Sequence, residues 1–244
     1  MRLLRLALAA VSLVALTATA SPTDPKNGVE YTTLAAPQPV DTASKKVEVI
    51  EFFMYHCPHC FAFEPTMAEW VKKQGDKISF RRVHFPVRGA SDPHAHLYLT
   101  LEAMGKVDGL HDKILRAYHV ERNRLASDEA VLDFVVKNGI DKAKFLESWN
   151  SFSVQTKMKR AAAVLAAYKI ESAPTIVIDG RYVTSPAMAS AAAPSKTELA
   201  SQQAAVQVMD ALVAKAAKDN AKSVKPTAKP AAKPAAKPAA KPAR

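Results

Sequence analysis

Residues Val49 to Pro65, VIEFFMYHCPHCFAFEP, constrain this chain more than any other stretch. The run Val49-Ile50-Glu51-Phe52-Phe53-Met54 is short and rich in β-branched and aromatic residues, the pattern of a buried β-strand. It breaks at Tyr55-His56. After Cys57-Pro58-His59-Cys60, residues Phe63, Met67 and Trp70 recur on one face of a helix. Such a strand-to-helix junction puts the first sulfur at a helix N-terminus, where unpaired backbone N–H groups and the positive end of the helix dipole favour a thiolate. Both cysteines of the 244-residue chain lie in this motif. As a structural staple the small loop would contribute roughly 2 kcal/mol, against about 3 kcal/mol for a fifteen-residue loop. A chain that is 48% apolar can bury a core without it. The pair reads as redox-active.

The charge is unevenly spread. Of the formal net +11, Lys215 to Arg244 carries +8 and Arg2 and Arg5 carry +2, so the rest is close to neutral. Charge therefore gives the folded part no nucleic-acid surface. Residues 1–20 have the parts of a secretory signal: Arg2 and Arg5, an apolar core from Leu6 to Leu16, and Ala18-Thr19-Ala20 as a cleavage site near Ala20. The apolar run is shorter than the ~20 residues of a membrane span. Export puts the cysteines where disulfides persist. At the other end, Lys-Pro recurs every four residues from Lys225 to Lys241. Proline at that frequency forbids helix and strand, so residues 219–244 read as a disordered Lys/Pro/Ala-rich tail. Its charge suits an anionic envelope surface.

Between these ends the order of elements is legible. Residues 21–46 form an N-terminal arm rich in proline, in which Tyr31 and Leu34 are placed to pin it onto a sheet. Residues 47–87 hold a strand (Val47 to Met54), the motif helix to about Gly75, and a second strand with Ile78, Phe80 and Val83 inward. From 88 to 170 the pattern is helical throughout. Asp92-Pro93 is a cap followed by a proline at the first helical position, and further helices are expected over His111–His119, Ser127–Lys137 and Asp141–Tyr168. Residues 171–218 bring back strand character at Thr175 to Ile178, a hairpin at Asp179-Gly180, and a last helix from Ser195 to about Lys218 that turns Leu199, Val206, Met209 and Val213 inward.

Strand, Cys-Pro-His-Cys, helix, strand, helical insertion, then Ala-Pro-Thr before a hairpin resembles the DsbA family of exported thioredoxin-fold oxidoreductases. Gly28, Tyr31 and Leu34 match its arm, Glu51-Phe52-Phe53 its central strand, Phe63-Glu64 its active-site helix, and Gly139-Ile140 with Trp149-Asn150-Ser151-Phe152 its insertion. The resemblance implies an α/β thioredoxin fold with an inserted all-helical subdomain, and periplasmic thiol:disulfide exchange. On that reading Cys57 is the exposed nucleophile and Cys60 resolves. Pro58 and His59 tune the pair, and Glu51, a buried acid beneath Cys60, accepts its proton. Arg82 stands where the family has lysine. Pro174 corresponds to the family's cis-proline. Ala173 before it, where relatives more often carry Val or Thr, presents backbone to an extended substrate.

No cofactor is expected, since the Cys57–Cys60 disulfide is itself the redox group. No metal is expected either: a structural zinc site needs four ligands, while His84, His94, His96, His111 and His119 are scattered, and His94-X-His96 reads as a solvated pair. The implied partners are reduced or unfolded secreted proteins and a DsbB-like membrane quinone-linked reoxidase, with the protein itself a monomer. Two other readings stand beside this one: a thiol reductase or isomerase, and an envelope chaperone or binding protein without redox turnover.

Overall fold

The computed structural model describes residues 21–40, 46–192 and 197–223. The signal at residues 1–20, the expected helix start at Ser195 and the Lys-Pro repeat lie outside the described residues. In chain order the elements are β1 (Thr32–Thr33), β2 (Val47–Phe53), α1 (Pro58–Gln74), β3 (Ile78–His84), α2 (Pro93–Ala103), α3 (Val107–His119), α4 (Asp128–Lys137), α5 (Lys142–Trp149), α6 (Phe152–Tyr168), β4 (Thr175–Ile178), β5 (Tyr182–Thr184), α7 (Pro186–Ala189) and α8 (Glu198–Ser223).

The strands form one sheet in the order β1-β5-β4-β2-β3. Only β2 and β3 run parallel; the other pairs are antiparallel. Strand β2 is buried on both faces, which explains its unbroken apolar run. Side chains alternate across the sheet. Val47 and Val49 pack with Phe63, Met67 and Trp70 of α1 and Val208, Met209 and Leu212 of α8. Ile50 and Phe52 pack on the opposite face with Leu165 and Tyr168 of α6. Helices α2 to α5 build a third cluster around Leu97, Leu101, Ile114 and Phe145, and it reaches Phe53, Tyr55, Cys57 and Cys60 at the end of β2. The two sulfurs therefore sit where the helical layer meets the sheet.

Local signals act as expected at most boundaries. Asp92 caps α2 by accepting from the N–H groups of His94 and Ala95, and Ser127 caps α4 through Ala130. The expected helix over Asp141–Tyr168 is two, because Ser151 caps a new start at Phe152 by accepting from the Val154 N–H. The short α7 went unforeseen; Ser185 caps it and Pro186 occupies its first position. Three packing expectations are corrected. Leu199 is exposed, in the first turn of α8. Helix α8 runs to Ser223, five residues past Lys218 and into the expected tail, because Asp219 accepts from the Tyr182 hydroxyl at 2.9 Å and the Asn220 amide donates to Asp179 at 3.0 Å. His94 and His96 are not solvated: His94 is buried with Nε2 2.8 Å from the Arg124 carbonyl, and His96 stacks on Trp149.

The arm is held as Tyr31 and Leu34 suggested. Both are buried, and β1 pairs with β5 in the register Thr32↔Val183. At the β4–β5 turn Asp179 and Gly180 have φ of 55° and 60°, the left-handed pair of a tight hairpin. Gln38 donates to the Gly180 carbonyl at 2.8 Å, and a Cβ on Gly180 would lie 2.3 Å from the Gln38 oxygen. Gly180→Ala is expected to lower the unfolding free energy by more than ~1 kcal/mol, since it adds a clash to a left-handed φ. A urea midpoint equal to that of the wild type would contradict this.

Candidate active site

Cys57 is the N-cap of α1, and Pro58 at the first helical position gives up an N–H that has no intrahelical partner there. The backbone N–H of Cys60 points back to Cys57 Sγ at 3.4 Å. Both thiols are free. Across from them the Ala173–Pro174 peptide is cis, and the Cys57 thiol donates to the Ala173 carbonyl at 3.4 Å. The expectation of an exposed nucleophile is corrected by this contact. Cys57 is only 5% exposed, because the Ala173 loop and the insertion's cluster close over it. Beside the sulfurs a groove of about 360 Å³ runs past His59, Ala173, Pro174, Pro186, Glu198 and Gln202.

The two sulfurs are electrostatically unequal. Cys57 is lowered to about 6 by the hydrogen bond from the Cys60 thiol, with help from the Cys60 and His59 backbone N–H groups and the His59 charge, all against a burial penalty. Cys60 is pushed upward, first because its proton is held by Cys57, then by burial and by the negative charges of Cys57 and Glu51. One sulfur is set to leave or attack as thiolate, and the other to keep its proton.

Beneath Cys60 lies a buried ionic network. The parallel register sets Glu51 of β2 beside Arg82 of β3, and Arg82 Nε donates to Glu51 Oε2 at 2.9 Å. The same guanidinium reaches Glu64 of α1 at 2.8 and 3.0 Å. His111 of α3 completes it, with Nε2 3.2 Å from Glu64 and Nδ1 3.3 Å from the Tyr55 hydroxyl. Burial raises the Glu51 carboxyl despite Arg82, whereas Glu64 is lowered because His111 and Arg82 together outweigh its burial. Sequence reasoning matched Glu51 with Arg82 and missed the roles of Glu64 and His111. Glu64 had a usable signal: it lies four residues after Cys60 on α1, and so faces the same way.

Three of the histidines that look scattered in sequence converge on Tyr55. His84 Nε2 accepts from the Tyr55 N–H at 3.2 Å, His111 meets its hydroxyl, and His119 Nε2 donates to its carbonyl at 2.9 Å. Among the described residues no group of three or more His, Cys, Asp or Glu is placed to hold a metal ion. His59 points the other way, into solvent, with Nδ1 2.7 Å from Glu198 Oε1.

Two outcomes follow from these contacts. Arg82→Met strands two buried carboxylates and is expected to cost about 3–5 kcal/mol in urea unfolding, part of it recovered by adding Glu64→Gln; a variant as stable as the wild type would refute the network. In the reduced protein the Cys57 thiolate absorbance should titrate with a midpoint of about 6. Because folding depresses this thiol, its stabilising contribution is complete above the ordinary thiol range near ~8.5. It is lost as pH falls through about 6.

Comparison with known proteins gives this geometry a context. The model of the DSBA-like thioredoxin domain matches residues 48–202. The thiol:disulfide interchange protein DsbA of Burkholderia cepacia is 42% identical over 186 residues, covering 76% of this chain and 88% of that protein. Its Pseudomonas aeruginosa counterpart is 39% identical over 155 residues, covering 64% and 73%. The crystal structure of Pseudomonas aeruginosa DsbA superposes with a TM-score of 0.71 at 34% identity, over 83% of this chain and 98% of that one. A Proteus mirabilis DsbA structure holding the peptide PWATCDS is alike in fold, with a TM-score of 0.64 at 21% identity. The matched span takes in nearly all of β2, the Cys57–Cys60 turn, the helical layer and the cis-proline loop: the chain belongs to the DSBA-like thioredoxin domain family, as a thiol:disulfide oxidoreductase of DsbA type.

Proposed function

We propose that this oxidoreductase works as an exported oxidase, donating its Cys57–Cys60 disulfide to newly secreted proteins in the periplasm. The observation that carries the direction is the inequality of the sulfurs, with Cys57 lowered to about 6 and Cys60 raised. Whatever stabilises the Cys57 thiolate stabilises the reduced form, and a stabilised reduced form makes the disulfide an oxidant. A substrate thiolate attacks Cys57 Sγ; the Cys57–Cys60 bond breaks and Cys60 departs, taking up a proton. The substrate's second thiolate then attacks its own sulfur in the mixed disulfide and expels Cys57 as thiolate. The substrate loses two electrons and the cysteine pair gains them.

Each residue has a part in this reading. Pro58 shapes the turn, and His59 places a positive charge near Cys57. Glu51, its carboxyl raised by burial, exchanges the Cys60 proton. The groove beside Ala173 and Pro174 takes an extended peptide. No dissociable cofactor enters these steps. A DsbB-like, quinone-linked membrane protein reoxidises the pair, and the enzyme acts as a monomer. Export is supported by the charged and apolar pattern of residues 1–20, and no described helix is long and apolar enough to cross a membrane. The lysine-rich C-terminal repeat adheres to anionic envelope material.

Equilibration with glutathione buffers, followed by thiol trapping, tests the direction. A potential well above the approximately −270 mV of thioredoxin is expected, together with loss of substrate oxidation in Cys57→Ser. A thioredoxin-like value would reverse the electron flow and make the protein a reductase.

A further inference from the structure

His59 and Glu198 meet across most of the chain, His59 Nδ1 donating to Glu198 Oε1 at 2.7 Å. Exposed ion pairs between mobile side chains usually contribute little, and this one is 69% and 48% exposed. Its placement sets it apart. The imidazole stands between the two cysteines in sequence, in the first turn of α1, and the carboxylate opens α8. These helices are packed together below the pair: Thr66 of α1 meets Gln202 of α8 at 3.5 Å, and Met67 and Met209 share one cluster. The spacing between His59 and Glu198 is thus held by two buried helix faces. The rest of the groove they border, from Ser172 to Pro174 and from Ser185 to Ala187 with Ser201 and Gln202, carries no ionisable side chain. The charges facing His59 among the described residues are therefore Glu198 from α8 and Cys57 from its own helix.

We propose that Glu198 is a positioning residue of the exchange reaction, holding the protonated His59 ring against the first turn of α1 so that its charge favours the Cys57 thiolate. A carboxylate bonded to Nδ1 favours the imidazolium and fixes which way the ring turns. His59 is accordingly raised, first by the hydrogen bond to Glu198. Its charge is in turn among the causes that keep Cys57 low. Reduction adds two electrons and one proton to the disulfide, giving the Cys57 thiolate and the Cys60 thiol; an imidazolium beside the thiolate pulls that equilibrium toward the reduced pair. The inference rests on reading Cys57 as the exchanging thiolate. The rival role for Glu198 is purely local, an acid in the first turn of α8 that complements the helix dipole.

Glu198→Gln in the full chain separates the two. In the variant the NMR titration midpoint of the His59 ring falls toward the ordinary ~6.5. The equilibrium between reduced and oxidised glutathione at pH 7 moves about two- to fivefold toward the disulfide form. That gap should close below about pH 5, where the ring is protonated in both proteins, and narrow as salt is added. Glu198→Asp, which keeps the charge, recovers part of the shift. An unchanged His59 midpoint and an unchanged glutathione equilibrium would overturn the proposal, and a lowered melting temperature alongside them would assign Glu198 to the helix alone. Failure of the Cys57 reading is distinguishable, because it would appear in the wild type as the absence of a thiolate near pH 6.

Discussion

Two carboxylates buried beneath a pair of thiols need a cation, and the delivery of Arg82 to Glu51 and Glu64 is the interaction on which this structure turns. An unpaired ion in such a place costs several kcal/mol, and a single pair with one partner removed is among the most damaging losses a fold can suffer. Arg82 answers this with three hydrogen bonds from one planar group, a geometry that lysine cannot reproduce. The contributors come from β2, β3 and α1, with His111 of α3 as a fourth. Their meeting requires the parallel β2–β3 register, the position of α1 over the sheet and the docking of the helical layer, all at once.

The cysteines behave differently although only two residues separate them, first because the Cys60 thiol donates to Cys57. Cys60 keeps the proton it shares with Cys57, and burial and then the negative charges of Cys57 and Glu51 add to its rise. Cys57, the N-cap of α1, has the backbone N–H groups of Cys60 and His59 and the His59 charge beside it. The inner sulfur meets negative charge and low dielectric; the outer one meets positive partial charge. Desolvation acts on both, so it does not explain the difference. The shared thiol hydrogen bond does, with the sign of the local field second to it.

How much of this could be read from sequence depended on how local the cause was. Strand β2 declared itself by composition, the β4–β5 turn by Asp179-Gly180, and the starts of α2 and α4 by Asp92 and Ser127, because each signal acts within a few residues. The pairing of Glu51 with Arg82 came from resemblance and then from register. What sequence could not convey was anything fixed by contacts between distant segments. His94 and His96 carry polar side chains at a helix start, and only the packing of Trp149 and the Arg124 carbonyl makes them interior groups. Lys218 ended the expected helix on composition; Asp219 and Asn220 extend it through bonds to the hairpin. Leu199 has an apolar side chain in the right rhythm, yet the first turn of α8 overhangs the core. Glu198 gave no sequence signal at all, since its partner lies 139 residues away.

Helix α1 belongs to two cores, and this sharing connects the fold to the chemistry. Its later turns, through Phe63, Met67 and Trp70, are anchored in the cluster of the sheet and α8. Its first turn, through Cys57, Phe61 and Cys60, is embedded in the cluster of the helical insertion. A displacement of the insertion relative to the sheet would therefore act on the helix between its two anchor points, at the turn that carries Glu64. There the polar contacts cross the same boundary: Glu64 is bonded to Arg82 on the sheet side and to His111 on the insertion side. Van der Waals packing alone would let the two layers slide by small amounts at modest cost. A buried carboxylate with one partner in each layer does not, because any slip lengthens one charge-assisted hydrogen bond in a low dielectric. The position of the sulfurs between the sheet and the helical insertion is fixed for that reason by electrostatics as well as by packing.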